Sequence, residues 1–423
     1  LNKMKLFKLL FVAIIAFGMV ACNNEDEPQV IDGPEATISV KVFPSSNSPG
    51  VRSVGDLSDA DATTSLGLLA ESTIHNLQVW VFNGEVLTGY GSANGAEVTD
   101  IEAVAGASTV VVVANAGIGF KATKAELLDE VKGLPAEGIT GGLVMTAEPI
   151  DVTLEAGNNY YGYTEAEFTD IEALDSSKKT HLDDDNTALP LVRVNARVAL
   201  VAATLNYDAV PATQKAAFDN LRDVEVAMFN VPEKTNLFYA RTAPSASFLA
   251  TNADFQFGAA WLSPKYSYVG VGTGTPNPVL FDKTETDSSI ELPITAASAP
   301  YYYVNENTSE VAIGTSETPA QKMFMVLRAK VYKGGTVVTE LKDLYTDDEG
   351  YTYYPIWVNA LKDNYTYNTG HTADGNVYRN TQYNISLVIK GLGRPTIDEV
   401  DKAWLDVKVK VAPWIVVTQD VEW

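Results

Sequence analysis

The sequence predicts an all-β protein made of two β-sandwich domains, and three observations carry that prediction. Apolar and polar residues alternate in many runs rich in valine, threonine and tyrosine, the period of half-buried strands. Turn chemistry separates the runs, as at Asn83-Gly84, Gly141-Gly142, Lys333-Gly334-Gly335 and Asp347-Asp348-Glu349-Gly350. Helical periodicity is scarce, which argues for packed β layers and against a parallel α/β sheet. The 423 residues and 46% hydrophobic content suffice for more than one core.

The first segment reads as an export address. Lys3, Lys5 and Lys8 precede the apolar run Leu9 to Phe17, which ends in Gly18-Met19-Val20-Ala21-Cys22. A basic start, a short apolar stretch and a small residue before a cut site describe a secretory signal peptide over residues 1–21. The run is shorter than the ~20 residues a spanning helix needs. The only cysteine, Cys22, comes directly after the small residue, an arrangement that resembles a bacterial lipobox with Met19 where leucine is usual. Cys22 is therefore the expected lipidation site, and the precursor is expected to leave the cytoplasm and to be held at a membrane by acyl chains. Asn23 to Pro28 then form a polar tether.

The next segment alternates strictly: Ala36, Ile38, Val40 and Val42 share one face of a strand ending at Phe43. A loop of proline, serine, asparagine and glycine then carries Arg52, the only arginine before Arg193. Loops of this composition are preferred sites of nicking, and an arginine-specific protease would find one early cut point at Arg52–Ser53; an ordinary first strand followed by an ordinary linker is the other reading. Further strands are predicted at 74–82, 108–115, 191–205, 224–229, 323–332, 383–389 and 405–411. Thr123-Lys124-Ala125-Glu126 forms a capping box ahead of one short helix, and a second helix is expected over 211–221. The polar stretch 175–187 is the expected domain boundary. The chain ends in a second strictly alternating strand, with Leu405, Val407, Val409 and Val411 on one face, continued by Trp414, Ile415 and Val417.

Several chemistries are excluded or unsupported. With 54 acids against 30 bases the formal charge is -24, the wrong sign for a nucleic-acid partner. One cysteine rules out a disulfide framework and a cysteine-based zinc site. His75, His181 and His371 show no metal-binding spacing and read as surface residues. The glycine-rich Gly270-Val271-Gly272-Thr273-Gly274 has no helix after it and reads as a loop. No nucleophile elbow or calcium loop is found, and no carboxylate pair can be singled out for glycoside hydrolysis. No enzyme, cofactor or metal site is expected. Tyr301-Tyr302-Tyr303 and the tyrosines of 351–357 leave a glycan-binding surface lipoprotein as an alternative.

The C-terminal motifs point to a family. Tyr378-Arg379-Asn380-Thr381-Gln382-Tyr383-Asn384-Ile385, then Gly391-Leu392-Gly393, then Val407-Lys408-Val409-Lys410-Val411-Ala412-Pro413-Trp414 resemble the end of fimbrillins, the subunits of type V pili. The likeness is nearest to the minor-fimbrium stalk subunit, and Leu189 to Arg197 resembles the start of the family's second domain. The resemblance implies two transthyretin-like sandwiches at 53–188 and 189–402. It implies a lipidated propeptide at 22–52 and a donor tail at 403–423. It further implies cleavage after Arg52 by an arginine-specific protease, and departure of the strand bearing Ile38, Val40 and Val42. The vacated groove would take the tail of a neighbouring copy, with Leu405, Val407, Val409, Val411, Trp414, Ile415 and Val417 as donor residues. The expected partners are other copies of the chain and anchor and tip subunits, and a tip or accessory role is the variant reading. The polymer is expected as a cell-surface fimbrium.

Both terminal strands suit such an exchange on physical grounds alone. Each offers a row of β-favouring apolar residues backed by polar ones, able to complete a sheet edge and a core face together. Burial of about five such side chains is worth roughly 8–15 kcal/mol before entropy. A head-to-tail contact of this kind generates an open filament.

Overall fold

A computed structural model describes residues 31–44, 71–133, 141–174, 177–183, 188–229, 231–232, 234–238, 255–256, 292–295, 299–307, 323–359, 365–367, 373–396 and 405–413. The first unit holds β1 (Glu35–Pro44), β2 (Asn76–Asn83), β3 (Val86–Asn94), β4 (Glu97–Val104) and β5 (Gly106–Ala114). Helix α1 (Lys124–Leu128) comes next, then β6 (Val131–Gly133), β7 (Met145–Thr146), β8 (Ile150–Leu154) and β9 (Gly157–Tyr161). Helix α2 (Glu165–Glu172), β10 (Lys179–His181) and β11 (Leu189–Arg193) complete it.

These strands form two layers around one core. One layer is β10-β9-β1-β4; the other runs β11-β7-β5-β2-β3, with β8 also on β5. Strand β1 belongs to both, because its last three residues, Val42 to Pro44, leave the first layer to pair with β11. The alternating valines and leucines of β2, β5 and β11, with Met145 of β7, close the core against Ala36, Ile38, Val40 and Val42.

The second unit is a sandwich of two further sheets. Its strands are β12 (Asn195–Leu205), β13 (Asn220–Phe229), β17 (Tyr301–Asn305), β18 (Phe324–Lys333), β19 (Thr336–Val337), β20 (Tyr351–Trp357), β21 (Tyr365–Tyr367), β22 (Thr381–Ile389) and β23 (Leu405–Pro413), with a one-turn helix α3 (Ala212–Lys215); outside these sheets β14 (Val231–Pro232) pairs with β16 (Phe255–Gln256), and β15 (Lys234–Asn236) pairs with β6 of the first unit. The sheet β17-β12-β22-β23-β21 packs on a sheet of β13, β18, β19 and β20. Val198, Leu200, Ile385 and Leu387 of the first meet Leu221, Met228, Met325 and Tyr353 of the second.

Several expectations hold and others shift. Half of the capping box at Thr123 forms: its side chain accepts from the Glu126 N–H, while the Glu126 carboxylate accepts from the Ala122 N–H and not from that of Thr123. The helix expected over 211–221 is only Ala212–Lys215, since the chain turns into β13 at Asn220. Helix α2 escaped the sequence reading although it opens on a full capping box, with Thr164 accepting from Glu167 N–H and Glu167 reaching back. The single strand expected over 191–205 is two, broken at Val194, and its halves lie in different units. The first unit accordingly continues past the polar stretch 175–187, because β11 pairs with β1 and β7.

Charged groups are buried where the two units meet. The Glu71 carboxylate, fully enclosed, accepts from Arg197 Nη1 at 2.7 Å and from the Tyr303 hydroxyl at 2.7 Å. Arg193 donates from Nε to the Glu71 carbonyl at 2.7 Å and from Nη2 to Ser72 Oγ at 2.9 Å. Burial pushes the Arg193 guanidinium down to about 10, still charged at neutral pH. Removing one partner of such a network strands the others. Glu71→Ala should lower the unfolding free energy by about 3–5 kcal/mol in urea titration, and a loss under ~1 kcal/mol would show the network to be energetically idle.

Candidate functional site

The feature that sets this molecule apart is the position of β1. Along one edge, Glu35 to Lys41 pair antiparallel with β4, from Glu35 opposite Val104 to Lys41 opposite Glu97. Along the other edge, Ala36 to Val40 pair parallel with β9, and Val42 to Pro44 pair parallel with β11. The first strand in chain order is thus bonded on both sides. Among the described residues, β4 has no other ladder partner.

The side chains of β1 divide by face, as its alternation requires. Ile38 and Val40 are wholly enclosed, with Ala36 and Val42 nearly so. The three larger ones contribute roughly 5–9 kcal/mol by burial. On the other face, Thr37 Oγ1 donates to Asn158 Oδ1 at 3.1 Å, and Ser39 Oγ accepts from the Asp100 N–H at 3.1 Å. Lys41 forms an ion pair with Glu167 of α2, and its ammonium sits 6.0 Å over the Tyr163 ring. The Tyr163 hydroxyl donates to Glu97 at 2.6 Å, and burial raises its pKa far above the usual phenol value.

The walls are shaped for a strand. Asn159, fully buried, donates to the Thr37 carbonyl at 2.9 Å and braces the turn through Glu155. Gly162 has φ +81°, and a Cβ there would lie 2.1 Å from the Lys41 carbonyl oxygen, so only glycine lets β1 pass this close. The His181 ring stacks on Phe168 at 4.7 Å, and its Nε2 lies 2.8 Å from the Tyr163 carbonyl, which fixes the loop before α2. His181 therefore packs within the first unit, contrary to its reading as a surface residue.

The other expected strand is also seated. Leu405, Val407 and Val409 of β23 are buried in the chain's own second core. The strand pairs antiparallel with β22 along its whole length, from Leu405 opposite Ile389 to Pro413 opposite Thr381. On its far side, among the described residues, the three residues of β21 pair with it, Tyr365 opposite Val407 to Tyr367 opposite Val409. The expected separate tail at 403–423 thus begins as an integral strand of the second unit, because its apolar row matches that core. The Val411 backbone pairs with Tyr383. Cys22, Arg52, Ser53, Trp414, Ile415, Val417 and His371 lie outside the described residues.

The aromatic clusters considered for sugar binding face inward. Tyr301, Tyr302 and Tyr303 are buried, as are Tyr351, Tyr353, Tyr354 and Trp357. They pack and hydrogen-bond within the fold, Tyr302 donating to the Val226 carbonyl and Tyr354 to the Gly391 carbonyl. A stacking platform needs exposed rings, so the glycan alternative loses its residues. Asn307 begins Asn307-Thr308-Ser309, which has the Asn-x-Ser spacing of a glycosylation acceptor, but its side chain is fully buried. No group of three metal-ligating side chains occurs among the described residues.

Comparison with known proteins agrees with this geometry. A family model described as the major fimbrial subunit protein FimA matches residues 36–193, from the second residue of β1 to the last of β11. A FimA4 pilin C-terminal domain model matches residues 330–414. The chain is similar to the major fimbrium subunit FimA type-2 of Porphyromonas gingivalis, 31% identical with 99% of this chain and 100% of the relative covered. The type-3 subunit of the same organism is 30% identical over the same shares. Among solved structures, a fimbrilin from Porphyromonas gingivalis W83 superposes with TM-score 0.66 at 24% identity, covering 92% of this chain and 100% of that one. A cell adhesion protein from Parabacteroides distasonis, putative in its own description, gives 0.60 at 21% identity, with 90% and 100% covered. The two Porphyromonas gingivalis subunits matched over the whole chain are major-fimbrium subunits, whereas the C-terminal motifs point to the minor-fimbrium stalk subunit of the same family.

Two outcomes test the description of the slot. Ile38→Ala should cost the uncut chain about 2–5 kcal/mol in urea unfolding, and a loss near zero would mean that β1 does not support the first core. Lys41, with Thr164, holds the Glu167 carboxyl below its ordinary range. Stability from this pair is therefore complete above the ordinary glutamate value and is lost as pH falls through the lowered one. Lys41→Met should flatten that acid limb of the stability profile and leave its neutral-to-alkaline part parallel to wild type.

Proposed function

The chain belongs to the FimA family of major fimbrial subunits, and we propose that it is exported as a lipoprotein on Cys22, cut after Arg52 and polymerised by strand exchange. The observation that carries this reading is the central, doubly bonded place of β1 just ahead of the Arg52 loop. In the uncut chain β1 completes the first core, so no slot is open and the subunit stays single. An arginine-specific protease cuts Arg52–Ser53 and frees β1 from the rest of the molecule. Residues 22–52 then leave with the lipid, and the subunit passes from the outer membrane to a cell-surface fimbrium.

The incoming strand is the C-terminal one of a neighbour, within 405–417. Its own place suits release: among the described residues, β23 is bonded along its length to β22 and along three residues to β21. In the slot a strand is bonded along both edges. The exchange therefore gains ladder hydrogen bonds while one apolar row replaces another, and it leaves no unpaired edge at β4 and β9. The head-to-tail contact repeats without closing, so the product is a filament. The role is structural, with no catalytic step; anchor and tip subunits of the same family would terminate the filament.

Limited digestion with trypsin of the full chain carrying Cys22→Ser tests the proposal. Cleavage after Arg52 should produce ladders on a denaturing gel from which residues 22–52 are missing, and Arg52→Gln should remain monomeric. A synthetic peptide of residues 403–423 should shorten the ladders by capping open slots. Ladders that retain β1, or that form equally from Arg52→Gln, would overturn the proposal.

A further inference from the structure

We propose a register for the exchange: Val409-Lys410-Val411-Ala412-Pro413 of the neighbour takes the places of Val40-Lys41-Val42-Phe43-Pro44, so that Lys410 inherits the carboxylates that hold Lys41. This inference rests on the strand exchange proposed above and adds to it the alignment of donor and slot. The two segments share residue type at four of these five positions, Val40, Lys41, Val42 and Pro44. The slot explains why those four matter.

Consider the lysine first. Lys41 stands directly opposite Glu97 of β4 and is ion-paired with Glu167 of α2. Loss of β1 leaves these two carboxylates, with the Tyr163 hydroxyl between strand and helix, facing an empty edge. A cation at the same position restores the pairing, and a neutral or acidic residue does not. The proline is equally selective. Pro44 ends β1, where the absence of an N–H is tolerated. Two residues earlier it is not, because the Val42 N–H donates to the Ala96 carbonyl at 3.0 Å.

Sliding the donor by two residues in either direction keeps the apolar face inward, so these are the competing registers. Sliding one way places Pro413 where Val42 was and forfeits the bond to Ala96. Sliding the other way places Lys408 where Lys41 was and brings Asp406 to the site of Ser39. That site is buried, and Ser39 Oγ accepts there from the Asp100 N–H on the strand that also carries Glu97. An aspartate carboxylate at that point would be desolvated beside acids. The proposed register puts Lys408 there instead, whose long stem can carry its ammonium outward to the same acids. Leu405 and Val407 then occupy the inward places of Ala36 and Ile38.

Cysteine pairing reads the register directly. Val98 lies opposite Val40 in the uncut chain, so a donor Val409 should lie opposite Val98 of the receiving subunit. In the full chain with Cys22→Ser, trypsin-trimmed under oxidation, Val98→Cys with Val409→Cys should give disulfide-linked ladders. Val98→Cys combined with Val407→Cys or Val411→Cys should give far fewer. A charge exchange supplies a second readout: Lys410→Glu should slow ladder formation roughly ten-fold, and adding Glu167→Lys should restore much of it. The same Glu167→Lys should not rescue Lys408→Glu. Ladders cross-linked preferentially through position 407 or 411, or rescue at Lys408 instead of Lys410, would overturn the register while leaving strand exchange intact. Trimmed wild-type chain that never forms ladders would overturn the exchange itself, and the register with it.

Discussion

The hydrogen-bonded union of two layers through β1 is the constraint on which the rest of the first unit depends. A strand that ends one layer and begins another cannot be an accessory: β4 has it as ladder partner, β9 has it on its inner edge, and β11 meets its last residues. The same ten residues supply four inward apolar side chains to the core. Yet β1 precedes every other strand of the described residues, and its covalent link to them runs only through the segment that bears Arg52. A piece that is structurally central and covalently peripheral can be exchanged after one cut.

The second unit is arranged differently, and in the exchange proposed above the difference would give direction to assembly. Among the described residues its last strand is bonded along its length on one side and along three residues on the other. The buried network of Glu71, Arg193, Arg197 and Tyr303 joins the two units on the C-terminal side of the Arg52 segment. Cutting at Arg52 can therefore free β1 without loosening the junction, since Glu71 and Ser72 stay held. Loss of one strand is confined to the slot it filled.

Much of this architecture was legible in the sequence because alternation is a direct print of a half-buried strand. Ile38-Val40-Val42 and Leu405-Val407-Val409 could each be assigned one inward face, and both rows are buried as a row. Alternation does not name the neighbours, so it could not show that β23 already completes its own sheet or that β1 bridges two layers. The break at Val194 was hidden because β-favouring residues continue across it, and only the partners of each half reveal two strands. Helix α2 was missed although Thr164 and Glu167 carry a capping signal, since the helix is short and weakly amphipathic. The tyrosines at 301–303 misled in the usual way: composition gives a ring, and only the fold says whether it faces water.

Hydrogen exchange along β4 tests the central claim most directly. The alternate amides of β4 that point to β1 should be protected in the uncut chain, lose that protection when the chain is trimmed at Arg52 and held monomeric by dilution, and regain it in the polymer. Protection that persists through trimming after residues 22–52 have departed would mean that β1 does not hold this edge, and the account would fail.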